Sequence, residues 1–341
     1  MQLAFDLSPA MDAIREKKAK TVVVQIPEGL KTRARELAQE IEEKTGATAI
    51  VLVDPIFGAC MLAEQKTIDF GADLLIHFGH SRFYREKVPT VYVPLYYPAP
   101  PKTVKSVAPK LARQLKKKKI SKIGLVCVVQ YAPLMRALEK ELANQGIVAR
   151  IGQGAGTLDG QVLGCNYHSA RSIEKNVDGF VFIGDGAFHP AGLVASVNKP
   201  VFTLDPFTQK IEDISEQKKT FLKKRFAQIA LAQEARVFGI LVSTEKGQFG
   251  YRSALAIKKE IESAGKKAII LAGDLLSPTN VLGIKVDALI NTACPRIAID
   301  DATSYKIPVL NANELRILLG QTSWEDYAQD EIKNNEQEKL Q

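Results

Sequence analysis

Short runs of contiguous apolar, largely β-branched residues alternate along this chain with segments whose apolar residues return every third or fourth position. The first kind predicts buried strands and the second amphipathic helices. Residues 7–18 have helical spacing, and residues 21–26 (TVVVQI) then read as a strand closed by Pro27-Glu28-Gly29. Leu30, Ala34, Leu37 and Ile41 mark a helix over residues 30–44, which stops before Gly46. A second strand, inside AIVLVDPIFGAC (residues 49–60), ends at Asp54-Pro55 and leads to a Gly-Ala-Cys tip at Cys60. Open α/β sheets keep their chemistry at the carboxyl ends of the strands, so this tip is the first candidate site. A short helix from Met61, a strand over residues 73–78 ending in Gly79-His80-Ser81, and a fourth strand over residues 91–94 complete the unit.

The same order returns twice. After Pro98, Pro100 and Pro101 and a basic helix to Lys119, strands are expected over residues 122–129, 148–151, 178–183 and 201–204, with a helix over 133–145. The third of these strands ends in Gly184-Asp185-Gly186 and the fourth in Asp205-Pro206. A long charged helix over residues 211–234 then precedes strands at 237–242, 268–271 and 287–292, a helix over 251–263, and a last strand opening at Val309-Leu310. Self-similarity at about 100 residues, weak in identity but regular in element order and turn placement, implies repetition of one structural unit. The expected fold is α/β: three structurally related domains, each a small, mostly parallel sheet flanked by helices, arranged with pseudo-threefold symmetry around a central site. Their expected bounds are residues 1–99, 100–213 and 214–322, followed by a polar tail, 323–341, that should fray or be disordered.

With 46 % hydrophobic and 25 % charged residues, the composition is that of a soluble globular protein. No apolar run approaches the roughly 18 to 20 residues needed to cross a bilayer, and the first residues lack a signal-peptide core, so a cytoplasmic protein without a membrane partner is expected. The net charge of +8 favours an acidic partner or substrate. Its densest parts, residues 116–119 and 218–225, read as solvated helix faces, and no RRM, KH or helix-turn-helix signature accompanies them; nucleic acid is not an expected partner.

The 4 cysteines, Cys60, Cys127, Cys165 and Cys294, fall outside any CxxC pattern. Cys127 lies inside LVCVV, where a cysteine acts as a small buried hydrophobe. The other three lie on the carboxyl side of expected strands, one in each unit. Three thiolates brought to one centre suit an iron-sulfur cluster that lacks its fourth cysteine and so leaves one iron open. On spacing alone, zinc with an open position and scattered structural cysteines remain alternatives.

Several motifs then carry a resemblance: IPEGL (26–30), DPIFGAC (54–60), GADLLIHFGHS (71–81), LGC (163–165), GDGAFHPAGL (184–193), STEKGQ (243–248) and NTACPRIAIDD (291–301). Together, and in this order, they resemble the archaeal diphthamide biosynthesis enzymes, the 2-(3-amino-3-carboxypropyl)histidine synthases. The resemblance implies an unconventional radical S-adenosylmethionine enzyme, a homodimer of three-domain subunits served by a separate electron donor. It implies a [4Fe-4S] cluster on Cys60, Cys165 and Cys294, reductive cleavage of S-adenosylmethionine to a 3-amino-3-carboxypropyl radical and methylthioadenosine, and addition of that radical to a histidine of translation elongation factor 2. Gly184, Asp185, Gly186, His189 and Gln248 are then expected around S-adenosylmethionine or the substrate. Glu28 is a candidate for an ammonium group, and His80 reads as a satisfied loop histidine. The chain departs from the family at Met61, where an acidic residue is expected after Cys60, and at Ile56-Phe57, where a pair such as Cys-Tyr is commoner. The alternatives are a quinolinate synthase-like [4Fe-4S] dehydrating and condensing enzyme, and a non-catalytic iron-sulfur accessory protein. No Ser-His-Asp set or carboxylate pair stands out.

Overall fold

A computed structural model describes residues 3–332 of the chain. Three separate sheets follow one another. The first contains β1 (Thr21–Gln25), β2 (Thr48–Leu52), β3 (Leu74–Phe78) and β4 (Thr90–Val93) in the order β2-β1-β3-β4. The second contains β5 (Lys122–Cys127), β6 (Val148–Arg150), β7 (Gly179–Ile183), β8 (Val201–Leu204) and β9 (Ile211–Asp213) in the order β6-β5-β7-β8-β9. The third contains β10 (Val237–Ser243), β11 (Lys267–Gly273), β12 (Ala288–Asn291) and β13 (Val309–Asn311) in the order β11-β10-β12-β13. Every pairing is parallel except that of β8 with β9.

In each sheet the first strand lies between the second and third, so its apolar run is covered on both faces: Val22, Val23 and Val24, then Leu125 and Val126, then Ile240 and Leu241, are essentially inaccessible. The outer strands β2, β6 and β11 are partly exposed and correspondingly less uniform in sequence. Parallel strands require crossovers, which the amphipathic helices Ala34–Thr45, Ala132–Asn144 and Tyr251–Ser263 supply. One device recurs in all three units. The aspartate that opens the segment of the third strand accepts hydrogen bonds from backbone amides at the start of the first: Asp73 from Lys20 and Thr21, Asp178 from Ser121 and Lys122, Asp287 from Arg236 and Val237. These amide donors hold each carboxyl below its ordinary range.

The structure corrects four expectations. Residues 211–234 are not one helix: Ile211–Asp213 is the antiparallel edge strand β9, and the helix covers Gln217–Leu231. The Asp205 side chain accepts from the Phe207 and Thr208 amides and Gln209 takes φ 56, which turns the chain back onto β8 before a helix can begin. Residues 28–33 form a 3-10 turn, and the helix expected from Leu30 starts at Ala34. The short helix expected from Met61 starts at Glu64. Finally, the polar tail is bonded in place through Ile332, which donates its amide to the Cys165 carbonyl; the rest of the expected tail, residues 333–341, lies outside the described residues.

Candidate metal centre

Cys60 follows β2 at the end of a loop in which the Met61 amide donates to the Gly58 carbonyl at 3.1 Å. The third unit holds this loop through the 3-10 turn Lys246–Gln248. The Gly247 amide donates to the Cys60 carbonyl at 3.0 Å, and a Cβ at Gly247 would stand 2.5 Å from the Cys60 Cα. Only glycine permits that approach. The Gln248 side-chain amide reaches the Cys60 sulfur at 3.3 Å, while Lys246 Nζ pairs with buried Glu64 at 2.8 Å and lies 5.0 Å from the centroid of the Tyr84 ring. Gln25 supports the loop from the sheet, donating to the Met61 carbonyl at 2.7 Å and accepting from buried His77. The second ring nitrogen of His77 meets His80 at 3.0 Å, so His80 is internally satisfied on that side.

Cys165 sits at the tip of a tight turn closed by reciprocal backbone bonds between Leu163 and Asn166. The long loop leading to it is tied to the end of β5: the Cys127 amide donates to Gly160 and the Val162 amide to Cys127. A Cβ at Gly164 would lie 2.0 Å from the Phe188 ring, so the GDGAFHP segment packs directly on this turn. Cys294 follows β12, its carbonyl accepting from the Asn291 side chain at 2.9 Å and from the Ile297 amide at 3.1 Å. Asn291 is in turn held by Asn311 at the end of β13, so both strand ends fix the thiol. Cys127, by contrast, is inaccessible in β5 within an apolar cluster.

The three loop thiols share one environment. Ionising Cys294 would raise Cys60, and ionising Cys294 or Cys60 would raise Cys165, so the three sulfurs lie within reach of one another. Burial pushes the Cys60 thiol up to about 12, opposed in part by the Gln248 amide, and raises Cys165 and Cys294 as well. Protein alone therefore keeps the thiols neutral; a bound cationic group would supply the charge that turns them into ligands. Among the described residues, no group of three or more His, Cys, Asp and Glu side chains is arranged to hold a single metal ion. A mononuclear tetrahedral site needs each sulfur about 2.3 Å from one centre. Three half-buried thiols that interact without closing on one point fit a cluster, whose own bulk would fill the middle, better than a single ion, and Cys60, Cys165 and Cys294 could each hold one of its irons.

The remaining expected site residues divide. Asp185 is exposed, accepts from the Tyr131 hydroxyl at 2.7 Å, and lines a cavity of about 520 Å³ with Pro27, Gly29, Tyr97 and Gln130 between the first and second units. Gly186 has φ 76, a left-handed turn that glycine accepts without strain, and Gly184 lies so close to Phe182 that a Cβ would stand 2.9 Å from its ring. His189 is stacked on Phe182 with ring centroids 6.2 Å apart, and burial lowers it to about 4, so it is a neutral packing element. Gln248 reaches the Cys60 sulfur directly. Glu28 pairs with Lys31 at 2.6 Å on the surface. Sequence reasoning missed Gln25, His77, Asn291, Asn311 and the Lys246–Glu64 pair; polar residues inside LVVV-like runs, as in TVVVQI, LLIHF and ALIN, were the available signal.

The family model for diphthamide synthesis proteins matches residues 26–328. The 2-(3-amino-3-carboxypropyl)histidine synthase of Pyrococcus horikoshii is 35 % identical over 331 residues, covering 95 % of this chain and 93 % of its own. The synthase of the same name from Methanocaldococcus jannaschii is 28 % identical over 327 residues, covering 92 % and 88 %. The crystal structure of Dph2 from Pyrococcus horikoshii with a 4Fe-4S cluster superposes with a TM-score of 0.88 at 33 % identity, covering 98 % of this chain and 95 % of that one. With the family model matching residues 26–328 and a relative 35 % identical along 95 % of its length, the chain belongs to the diphthamide synthesis protein family.

Proposed function

We propose that this protein carries out the first step of diphthamide biosynthesis as a 3-amino-3-carboxypropyl transferase. The observation that carries the reading is the meeting of Cys60, Cys165 and Cys294, one from each sheet, in a chain of this family. Its substrates are S-adenosylmethionine and a histidine of translation elongation factor 2; methylthioadenosine leaves. A [4Fe-4S] cluster would be held by Cys60, Cys165 and Cys294, and when bound would supply the one-electron reduction that cleaves S-adenosylmethionine.

The chain's own part is to hold, orient and exclude water. The Gly247 amide and the Asn291 side chain fix the Cys60 and Cys294 backbones, and the Gln248 amide places a donor on the Cys60 sulfur. Phe188 closes the Cys165 turn from the side of the GDGAFHP segment. Gly184, Gly186 and His189 shape the segment that presents Asp185, whose carboxylate is available to an ammonium or imidazolium group in the cavity between the first two units. The active form is a homodimer, and the electron comes from a separate donor. The experiment is anaerobic incubation with reductant, carboxyl-labelled S-adenosylmethionine and elongation factor 2. Label on the factor's histidine is the expected result; methylthioadenosine without labelled factor would refute the assigned protein substrate.

A further inference from the structure

The end of the described chain does more than leave the third unit. The Asn313 amide donates to Asp330 at 3.1 Å and its side chain to the Ala328 carbonyl at 3.0 Å, which ties the segment to the third unit. From the next residue the segment is held by the second unit. Glu331 is buried in an ion pair with Arg171 and accepts from the Tyr167 amide at 3.2 Å. The Asn166 side chain donates to the Ile332 carbonyl at 3.1 Å, and the Ile332 amide donates to the Cys165 carbonyl at 2.9 Å. The Ile332 side chain packs against the same apolar cluster as Cys60 and Cys165.

Residues 165–167 therefore receive three of their contacts from residues 331 and 332, and none of these contacts helps the fold of the second unit's sheet. In residues 327–332, YAQDEI, the polar Gln329, Asp330 and Glu331 lie between Ala328 and the apolar Ile332, so the segment is held by hydrogen bonds as much as by burial. Its first part is anchored on the third unit through Asn313 and Glu314, and its last two residues on one turn, the turn that carries a thiol.

We propose that residues 327–332 form a strap that positions Cys165 and shields its thiol, so that opening of the strap governs access of solvent and oxygen to that cysteine. The strap rests on the assignment of Cys165 as a cluster ligand. Each hydrogen bond at its end is worth on the order of a factor of five in a local opening equilibrium, so removing two makes the open form more than tenfold commoner.

The test uses the full chain, Glu331→Ala, Glu331→Gln, Arg171→Ala and a chain stopped after Asp326. In cluster-free protein, iodoacetamide labelling mapped by mass spectrometry reads each thiol separately. Cys165 should react about tenfold faster in Glu331→Ala and in the shortened chain, less so in Glu331→Gln, which keeps an acceptor for the Tyr167 amide, while Cys60 and Cys294 keep their rates. Anaerobically loaded Glu331→Ala should hold the iron content of the full chain but bleach severalfold faster in air. Equal Cys165 labelling in the full chain and Glu331→Ala would overturn the strap, as would acceleration of all the thiols together, buried Cys127 included, which marks general loosening. If the shortened chain does not fold, the Glu331 and Arg171 variants decide. Should the full chain bind no iron, the cluster assignment fails, and the labelling still decides whether the strap guards Cys165.

Discussion

Replacing Gly247 by alanine tests how the third unit fixes the first cysteine. The added methyl would lie 2.5 Å from the Cys60 Cα, 2.6 Å from its carbonyl oxygen and 2.8 Å from its Cβ. Carbon atoms rest at about 3.5 to 4.0 Å, so the Lys246–Gln248 turn and the Cys60 loop must part by about 1 Å. None of the three atoms is the free end of a flexible side chain, so backbone has to move. The Gly247–Cys60 bond at 3.0 Å and the Gln248 contact with the sulfur at 3.3 Å then stretch out of range. Overpacking costs about 1 to 3 kcal/mol and the lost backbone bond about 1 more, giving about 2 to 4 kcal/mol. Urea unfolding of cluster-free Gly247→Ala should show that loss, and anaerobic reconstitution should leave it deficient in iron. Gly29→Ala is the control, because nothing lies within 4 Å of its Cβ position and it should match the parent protein. A Gly247→Ala protein with the parental urea midpoint and full iron would refute the reasoning.

Two other outcomes follow from buried charge. Arg225 is 2 % exposed and forms a bidentate pair with inaccessible Glu314 at 2.6 and 2.7 Å, donating also to the Val309 carbonyl. Arg225→Met should cost about 3 to 5 kcal/mol by chemical unfolding, since it strands a carboxylate in the core beneath the Cys294 segment; a loss below 1 kcal/mol would contradict this. His77, His80 and His189 are held neutral by burial, at about 3, about 4 and about 4. Below pH 6.5 the unfolded chain takes up protons that the fold refuses, so stability is full above pH 6.5 and falls as pH drops toward 4. Calorimetry of cluster-free protein at stepped pH should show that fall, and His189→Phe should make it shallower.

The repeat of sheets was legible because strands covered on both faces read as unbroken apolar runs, as in TVVVQI and DGFVFI, and each crossover helix ends at a glycine, Gly46, Gly146 or Gly265. The repeated aspartate was in view at the head of each third strand, though its bond to the first strand appears only in three dimensions. β9 was hidden by the charged composition that also suits a helix, and its pairing was decided by the Asp205 turn next to it. At the site, the cysteines could be picked out by their place after strands. Their supports could not: Gln248, Gly247 and Ile332 act across units, from 188, 187 and 167 residues away in sequence, and no local pattern records such a contact. The strap was misread for the same reason, because its polarity describes a solvated tail unless the partners Asn166, Tyr167 and Arg171 are known.

Under the proposed function Cys60, Cys165 and Cys294, and not Cys127, hold one cluster. Anaerobic purification followed by iron analysis and low-temperature electron paramagnetic resonance measures it directly. The account predicts about four irons per chain and a reduced-cluster signal in the parent and in Cys127→Ala, with both lost in Cys60→Ala, Cys165→Ala and Cys294→Ala. A colourless parent protein, or full iron retained by Cys294→Ala, would contradict it.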